Sequence, residues 1–106
     1  MEKQHLKLEL EKIVKSEKAQ VILKESLQNI DSKAFKENGI IQTYEIDYDG
    51  IRHNPMGGVM VTIYINGKSE LYVKNTLEMN DLTGELSGGG GGYSSRLDEL
   101  ISDNGG

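Results

Sequence analysis

The fold is decided by residues 59–73, which read Val59-Met-Val-Thr-Ile-Tyr-Ile65, Asn66-Gly67 and Lys68-Ser-Glu-Leu-Tyr-Val73. β-Branched and aromatic residues on both sides of Asn-Gly are the strongest short-range signal of a β-hairpin. A two-residue loop would set the aliphatic face of one strand against a largely polar face of the other. Because a slip of one residue turns every side chain to the other face, we predict a three-residue loop, Ile65-Asn66-Gly67, instead. The predicted pairs are Tyr64 with Lys68, Val61 with Leu71 and Val59 with Val73.

This hairpin gives the predicted sheet one aliphatic face and one mixed face, because successive side chains of a strand point to opposite sides. The inner face should pack against helices and carries Val59, Val61, Ile63, Leu71, Val73 and Leu77. The outer face carries Met60, Thr62, Tyr64, Tyr72, Lys74 and Thr76. Aromatic and polar side chains mixed in this way are typical of recognition surfaces.

The N-terminal segment, from residue 3 to about residue 30, predicts helix because it is rich in Leu, Glu, Lys and Gln and lacks Gly and Pro. Its apolar stripe breaks at Ser16-Glu17-Lys18, where Ser16 could cap a new helix. Two interpretations stay open. Either one bent helix wraps the sheet, or residues 1–15 form a helical extension or spacer.

The rest of the chain completes an α+β order. The predicted elements are a helical turn or short helix over residues 31–37, a first strand over residues 40–48, a short fourth strand at residues 85–87 and a helix from Tyr93 to Ile101. Asn54-Pro55 predicts a tight turn before the central strand. We therefore predict a single α+β domain over residues 1–106. In it, an N-terminal helix packs on a three- to four-stranded antiparallel sheet, with a short C-terminal helix, loosely cystatin-like by analogy.

Composition narrows the function classes. The chain has 106 residues, a net charge of −5 and no cysteine. A stripe of clustered Lys and Arg is missing, which argues against nucleic-acid binding. Without cysteine there is no disulfide, no zinc thiolate site and no thiol nucleophile. No apolar run approaches the roughly 18 residues of a membrane span.

Five consecutive glycines before the last helix are the most conspicuous motif. Glycine amides at a helix N-terminus could bind a phosphate or a carboxylate. A phosphate loop, however, requires Lys-Ser/Thr after its last glycine, and this run has neither. The other interpretation is a flexible connector or a Gly-rich edge segment. The residues of the small-anion alternative are Gly88, Gly89, Gly90, Gly91, Gly92, Ser94 and Ser95.

Catalysis and metal binding find little support in the residue pattern. His53 lies near Asp47 and Asp49, but one histidine with flexible carboxylates offers too few ligands for zinc. The second histidine, His5, is far away in the sequence, and no Gly-x-Ser-x-Gly motif occurs. We predict no metal, no cofactor and no enzymatic activity.

The outer sheet face is the preferred binding site. Its candidate residues are Met60, Tyr64 and Tyr72, with His53 and Asn54 from the loop before the central strand. In the alternative interpretation, the C-terminal helix covers this face and leaves a plain three-layer domain. An open edge strand would offer a second route, because a partner strand can pair with its main chain.

Several short motifs together resemble one known family. They are Ile13-Val-Lys-Ser-Glu-Lys-Ala19, Tyr44-Glu-Ile-Asp-Tyr48, His53-Asn-Pro-Met-Gly-Gly58, Tyr64-Ile-Asn-Gly67 and the stretch from Gly88 to Tyr93. The family consists of small exported proteins of Gram-positive bacteria that share a domain of unknown function. The resemblance implies an extracytoplasmic domain tethered by an N-terminal apolar segment, which this sequence does not contain, and it supplies no catalytic residues. We expect a binding module with a protein partner in the cell envelope. The sequence does not predict an oligomeric state.

Overall fold

The computed structural model describes residues 2–53, 58–80, 82–83 and 85–103, with residues 2–7 and 90 described by their backbone alone. The helices are α1 (Glu2–Lys15), α2 (Glu17–Ile30) and α3 (Ser95–Asp103). The strands are β1 (Tyr44–Ile46), β2 (Arg52–His53), β3 (Val59–Ile65), β4 (Lys68–Met79) and β5 (Leu86–Tyr93). The α+β class is confirmed. The predicted Asn54-Pro55 turn lies outside the described residues.

The predicted helix break at Ser16 is confirmed. Ser16 has an extended backbone, with ψ at 151°, and separates α1 from α2. Its Oγ accepts a hydrogen bond from the backbone N–H of Ala19 at 3.3 Å and donates one to the carbonyl of Ile13 at 2.6 Å. This hydroxyl therefore satisfies one free N–H group at the start of α2 and one carbonyl near the end of α1.

The hairpin register corrects the prediction. Ile65 pairs with Lys68 across a two-residue loop in which both Asn66 and Gly67 have positive φ, 55° and 70°. The predicted three-residue loop is therefore wrong, and so are its three predicted pairs. An irregularity between Tyr64 and Ile65 shifts β4 along β3 beyond the turn. The observed pairs there are Tyr64 with Tyr72, Ile63 with Val73, Val61 with Asn75 and Val59 with Leu77.

The predicted inner and outer faces of the hairpin are correct although the predicted register is wrong. The observed pairing differs from the predicted one by four residues, and an even shift leaves every side chain on its face. All six predicted inner-face residues are buried, and none exposes more than 4% of its surface. Helix α2 adds Ala19, Leu23 and Leu27, each without solvent exposure, to the same cluster. The aliphatic face of the hairpin therefore forms one side of the hydrophobic core.

Within the described residues the sheet has five antiparallel strands rather than the predicted three or four. Their order is β1-β3-β4-β5, and β2 pairs with the same edge of β3 as β1 does. The predicted strand over residues 40–48 is reduced to β1, because Asp47 caps a 3-10 turn over residues 48–50 and accepts from the N–H of Gly50 at 3.1 Å. The predicted short fourth strand extends through the glycines and becomes β5.

Candidate functional site

Strand pairing assembles the outer face of the sheet as one surface. Tyr64 lies opposite Tyr72, Thr62 opposite Lys74, and Met60 opposite Thr76. Strand β2 adds Arg52 beside Met60, and β5 adds Gly92 beside Lys74. Directly opposed residues of antiparallel strands share a face, so the predicted residues Met60, Tyr64 and Tyr72 lie on the same side of the sheet.

Of the two other predicted binding residues, His53 does not join this surface. His53 pairs with the inner-face residue Val59, so its side chain starts from the opposite side of the sheet to that of Met60. Asn54 lies outside the described residues. The structure therefore separates His53 from the tyrosines. This was not predicted, because the side of the sheet to which each residue of a two-residue strand points cannot be derived from the sequence.

A partly open trough of about 370 Å³ lies on this face around Met60. The lining side chains include Arg52, Met60, Thr62, Lys74 and Thr76, with the backbone of Gly91 and Gly92. Met60 exposes 42% of its surface, whereas Tyr64 and Tyr72 are half-buried. Helix α3 packs against β4, and its buried residues Leu97 and Ile101 belong to the same core cluster as the inner-face residues.

The trough is basic although the chain carries a net charge of −5. Its charged lining residues are the cations Arg52 and Lys74. Arg52 donates from Nη1 to the backbone carbonyls of Asp49 and Ile51, both at 3.1 Å. Lys74 Nζ lies 5.8 Å from the ring centre of Tyr72, a cation–π distance. Neither cation forms an ion pair with a carboxylate among the described residues, so both keep positive charge available at the surface.

The glycine run forms a strand, which agrees with the Gly-rich edge segment and not with the loop of the small-anion alternative. Gly88 to Gly92 lie within β5, where Gly88, Gly91 and Gly92 pair with residues 77, 75 and 74 of β4. Ser94 is buried, and its hydroxyl donates to the carbonyl of Glu70 at 2.8 Å while accepting from the N–H groups of Tyr72 and Leu97. Ser95 is the first residue of α3. The small-anion site stays a prediction, and its loop geometry is not present.

A polar cleft of about 280 Å³ between α2 and β5 was not predicted. Ser26 of α2 donates from its hydroxyl to Oδ1 of Asn75 at 2.9 Å. The Nδ2 of Asn75 is buried and has no hydrogen-bond partner in the part of the chain that the structure describes. The signal in the sequence was an asparagine at an inner-face position between Val73 and Leu77. Such a buried polar group is uncommon and calls for a structural or functional reason.

Residues 2–53, 58–80, 82–83 and 85–103 contain no group of three or more His, Cys, Asp or Glu residues placed to hold a metal ion. None of the described helices combines the length and the hydropathy that a membrane crossing requires.

Comparison with known proteins gives a family but not an activity. No curated protein and no solved structure is significantly similar to the chain. One family matches residues 1–100, nearly the whole sequence, and its description is "Protein of unknown function (DUF1310)". This agrees with the domain of unknown function that the sequence motifs indicated. The chain therefore belongs to the DUF1310 family of proteins of unknown function.

Proposed function

We propose that this domain is a small interaction module without catalytic activity, which binds a protein partner through the outer face of its sheet. The observation that carries the proposal is the exposed Met60 in a trough between Arg52 and Lys74. Methionine, arginine and aromatic residues are enriched at protein–protein interfaces relative to the rest of the surface. The outer face combines all three types in one contiguous patch.

The extent of the outer face favours a macromolecular partner over a small ligand. Small-molecule sites bury most of the ligand surface in one cavity. Here the trough is partly open to solvent, and the same face of the sheet continues beyond it to the half-buried Tyr64 and Tyr72. A surface of this kind suits a contact in which Met60 is the central apolar anchor and the two cations form the rim.

We further propose that the domain acts outside the cytoplasm, is tethered to the membrane of a Gram-positive bacterium and meets its partner in the cell envelope. The motif resemblance supports this location. A protease added to intact protoplasts of a bacterium that encodes the chain should then degrade the domain. Survival of the domain while a known extracytoplasmic protein is degraded would contradict the location without affecting the outer-face proposal.

Site-specific crosslinking tests the outer face. A photoreactive amino acid replaces Met60 in one variant and Leu82, which is 95% exposed on the β4–β5 connection, in the control. We expect a discrete crosslinked partner from position 60 and none from position 82. The partner band should weaken when Lys74→Glu is added, because charge at an interface rim governs association. Equal crosslinking from both positions would contradict the proposal.

A further inference from the structure

Strand β5 is an open sheet edge. It pairs with β4 on one side, and no other described strand pairs with its second side. Glycines 88, 91 and 92 are exposed. The sequence of β5, Leu86-Ser-Gly-Gly-Gly-Gly-Gly-Tyr93, contains neither the proline nor the charged residues that usually prevent strand addition at a sheet edge. The ladder with β4 shifts register between Asn75 and Leu77, so residues 91–93 are the regular part of this edge beside Lys74. The opposite edge is different, because a 3-10 turn interrupts it between β1 and β2.

The alternation of hydrogen-bonded and non-hydrogen-bonded pairs between β4 and β5 shows which main-chain groups of β5 can bind another strand. Ser94 donates its N–H to the carbonyl of Tyr72 at 2.9 Å, which marks that pair as hydrogen-bonded. Hydrogen-bonded and non-hydrogen-bonded pairs alternate along antiparallel strands. Gly92 opposite Lys74 therefore points its main chain at β4, and the flanking residues Gly91 and Tyr93 point theirs away from the sheet. The N–H donors and C=O acceptors of these two residues are therefore directed toward the position of an added strand.

Because its glycines have no side chains, β5 leaves the space between this edge and the basic trough open. Gly92 lies in the same row as Lys74, and a Cβ at Gly92 would meet no atom within 4 Å. Adjacent strands are about 4.8 Å apart, so a strand added beyond β5 would lie about 10 Å from β4. An acidic side chain from that strand can cross the bare glycine and meet the long side chain of Lys74.

We propose that β5 binds an extended acidic peptide segment of a partner protein as an additional antiparallel strand. Main-chain hydrogen bonds to Gly91 and Tyr93 provide the pairing, and alternate acidic side chains reach over Gly92 to Lys74. Arg52 and Lys74 of the trough, which form no ion pair with any described residue, select the charge of the peptide on an otherwise acidic protein. This inference rests on the proposed function, since it names the partner segment that the outer face receives.

A second copy of the chain is a poorer occupant of the same edge. Pairing β5 with its own copy would set glycines against glycines, and neither strand would bring a carboxylate to Lys74. Cross-strand side-chain pairs are the main source of sheet stabilisation, so a glycine–glycine pairing would gain little. The partner strand must supply the side chains that β5 lacks.

A random peptide library tests the proposal. Phage displaying random twelve-residue peptides are selected on the immobilised domain, and enriched sequences are synthesised and titrated while backbone amide resonances are followed by NMR. We expect acidic residues at alternate positions, with the largest shifts at Gly91 and Tyr93. Lys74→Glu should weaken binding at least about fivefold, since it turns a surface attraction into a repulsion.

A test variant and a matched control variant introduce the same charge at opposite edges of the sheet. Gly92→Glu places a carboxylate beside Lys74 without a steric clash and should abolish peptide binding. Thr43→Glu adds the same charge at an exposed position just ahead of β1, at the opposite edge, and should leave binding unchanged.

Four results would each overturn the proposal: enrichment of no peptide, enrichment of basic peptides, resonance shifts away from β5, or concentration-dependent dimerisation through β5. If crosslinking from position 60 still captures a partner in that case, the outer-face function stands and only the peptide-strand inference fails.

Discussion

At the scale of single residues, Asp31 joins the end of α2 to the segment that leads into β1. Its side chain is fully buried. The two carboxylate oxygens accept hydrogen bonds from the N–H groups of Lys33, Ile40 and Ile41, at 2.9–3.0 Å. One side chain thus satisfies three backbone donors, of which the N–H of Ile41 is buried. The bonds to Ile40 and Ile41 join residues nine and ten positions apart and were not predicted from the sequence.

Replacing Asp31 by alanine should destabilise the fold strongly. Asp31→Ala removes three hydrogen bonds to a buried carboxylate, and we expect a loss of about 2–4 kcal/mol in the free energy of unfolding. Asp31→Asn, which keeps one acceptor oxygen, should lose less. Urea unfolding followed by circular dichroism measures both. Asp103→Ala, at the exposed end of α3, is the control and should change stability by less than about 0.5 kcal/mol. Equal stability of Asp31→Ala and the control would contradict this role.

Asn66 shows how one residue can serve two elements. Its positive φ of 55° suits the hairpin turn. Its side chain also binds the chain before β1, because Oδ1 accepts from the N–H groups of Gln42 and Thr43 and Nδ2 donates to the carbonyl of Ile40 at 2.8 Å. The Asn-Gly motif predicted the turn, and only the structure shows that the same side chain positions β1 beside β3.

At the scale of elements, the glycines of β5 are not equivalent. A Cβ on Gly91 would lie 1.9 Å from the carbonyl oxygen of Lys74, whereas one on Gly92 would meet nothing within 4 Å. On the inner side, a Cβ on Gly88 would lie 3.2 Å from Cγ2 of Ile22 in α2. Close approach of neighbouring backbone and of a helix therefore requires some of these glycines, while others leave space.

Two neighbouring alanine substitutions test this difference. We expect Gly91→Ala to destabilise the domain by about 2–4 kcal/mol, because backbone atoms of β4 must move. Gly92→Ala should be neutral or stabilise by up to about 1 kcal/mol, because alanine restricts the unfolded chain. Thermal unfolding of both variants under identical conditions makes the comparison. A flexible connector would tolerate both changes equally, so similar melting temperatures would contradict the strand assignment.

At the scale of the whole molecule, the second half of α1 belongs to the core. Leu10 and Val14 are buried and lie in the same cluster as the inner face of the sheet and α3. Leu8, two residues before Leu10, is 57% exposed. Gln20 of α2 donates to the carbonyl of Val14 at 2.7 Å and links the two helices. Leu10 and Val14 therefore attach α1 to the core, and a spacer role for residues 1–15 stays a prediction.

Unfolding of a core variant tests whether α1 and the sheet are cooperative. Val14→Ala should lower the free energy of unfolding by about 1–3 kcal/mol, the range for truncating a fully buried aliphatic side chain. Val21→Ala, which truncates a half-exposed valine on α2, should change it by less than about 0.5 kcal/mol. Helix signal and tyrosine fluorescence should shift together in Val14→Ala, as in a two-state transition. Separate transitions would show that α1 unfolds independently of the sheet.

The sequence by itself determined which residues face the core and where the chain turns. Alternation in residues 59–73 predicted both faces of the hairpin, Asn66-Gly67 predicted its turn, and Ser16 predicted the break between α1 and α2. These features are local, because side-chain parity and capping depend on neighbours along the chain. Only the tertiary structure decided the register, the strand state of Gly88 to Gly92 and the buried bonds of Asp31, because each depends on atoms far apart in sequence. Glycines carry no periodic signal of their own, so they became a strand only where β4 offered its hydrogen bonds and α2 covered them.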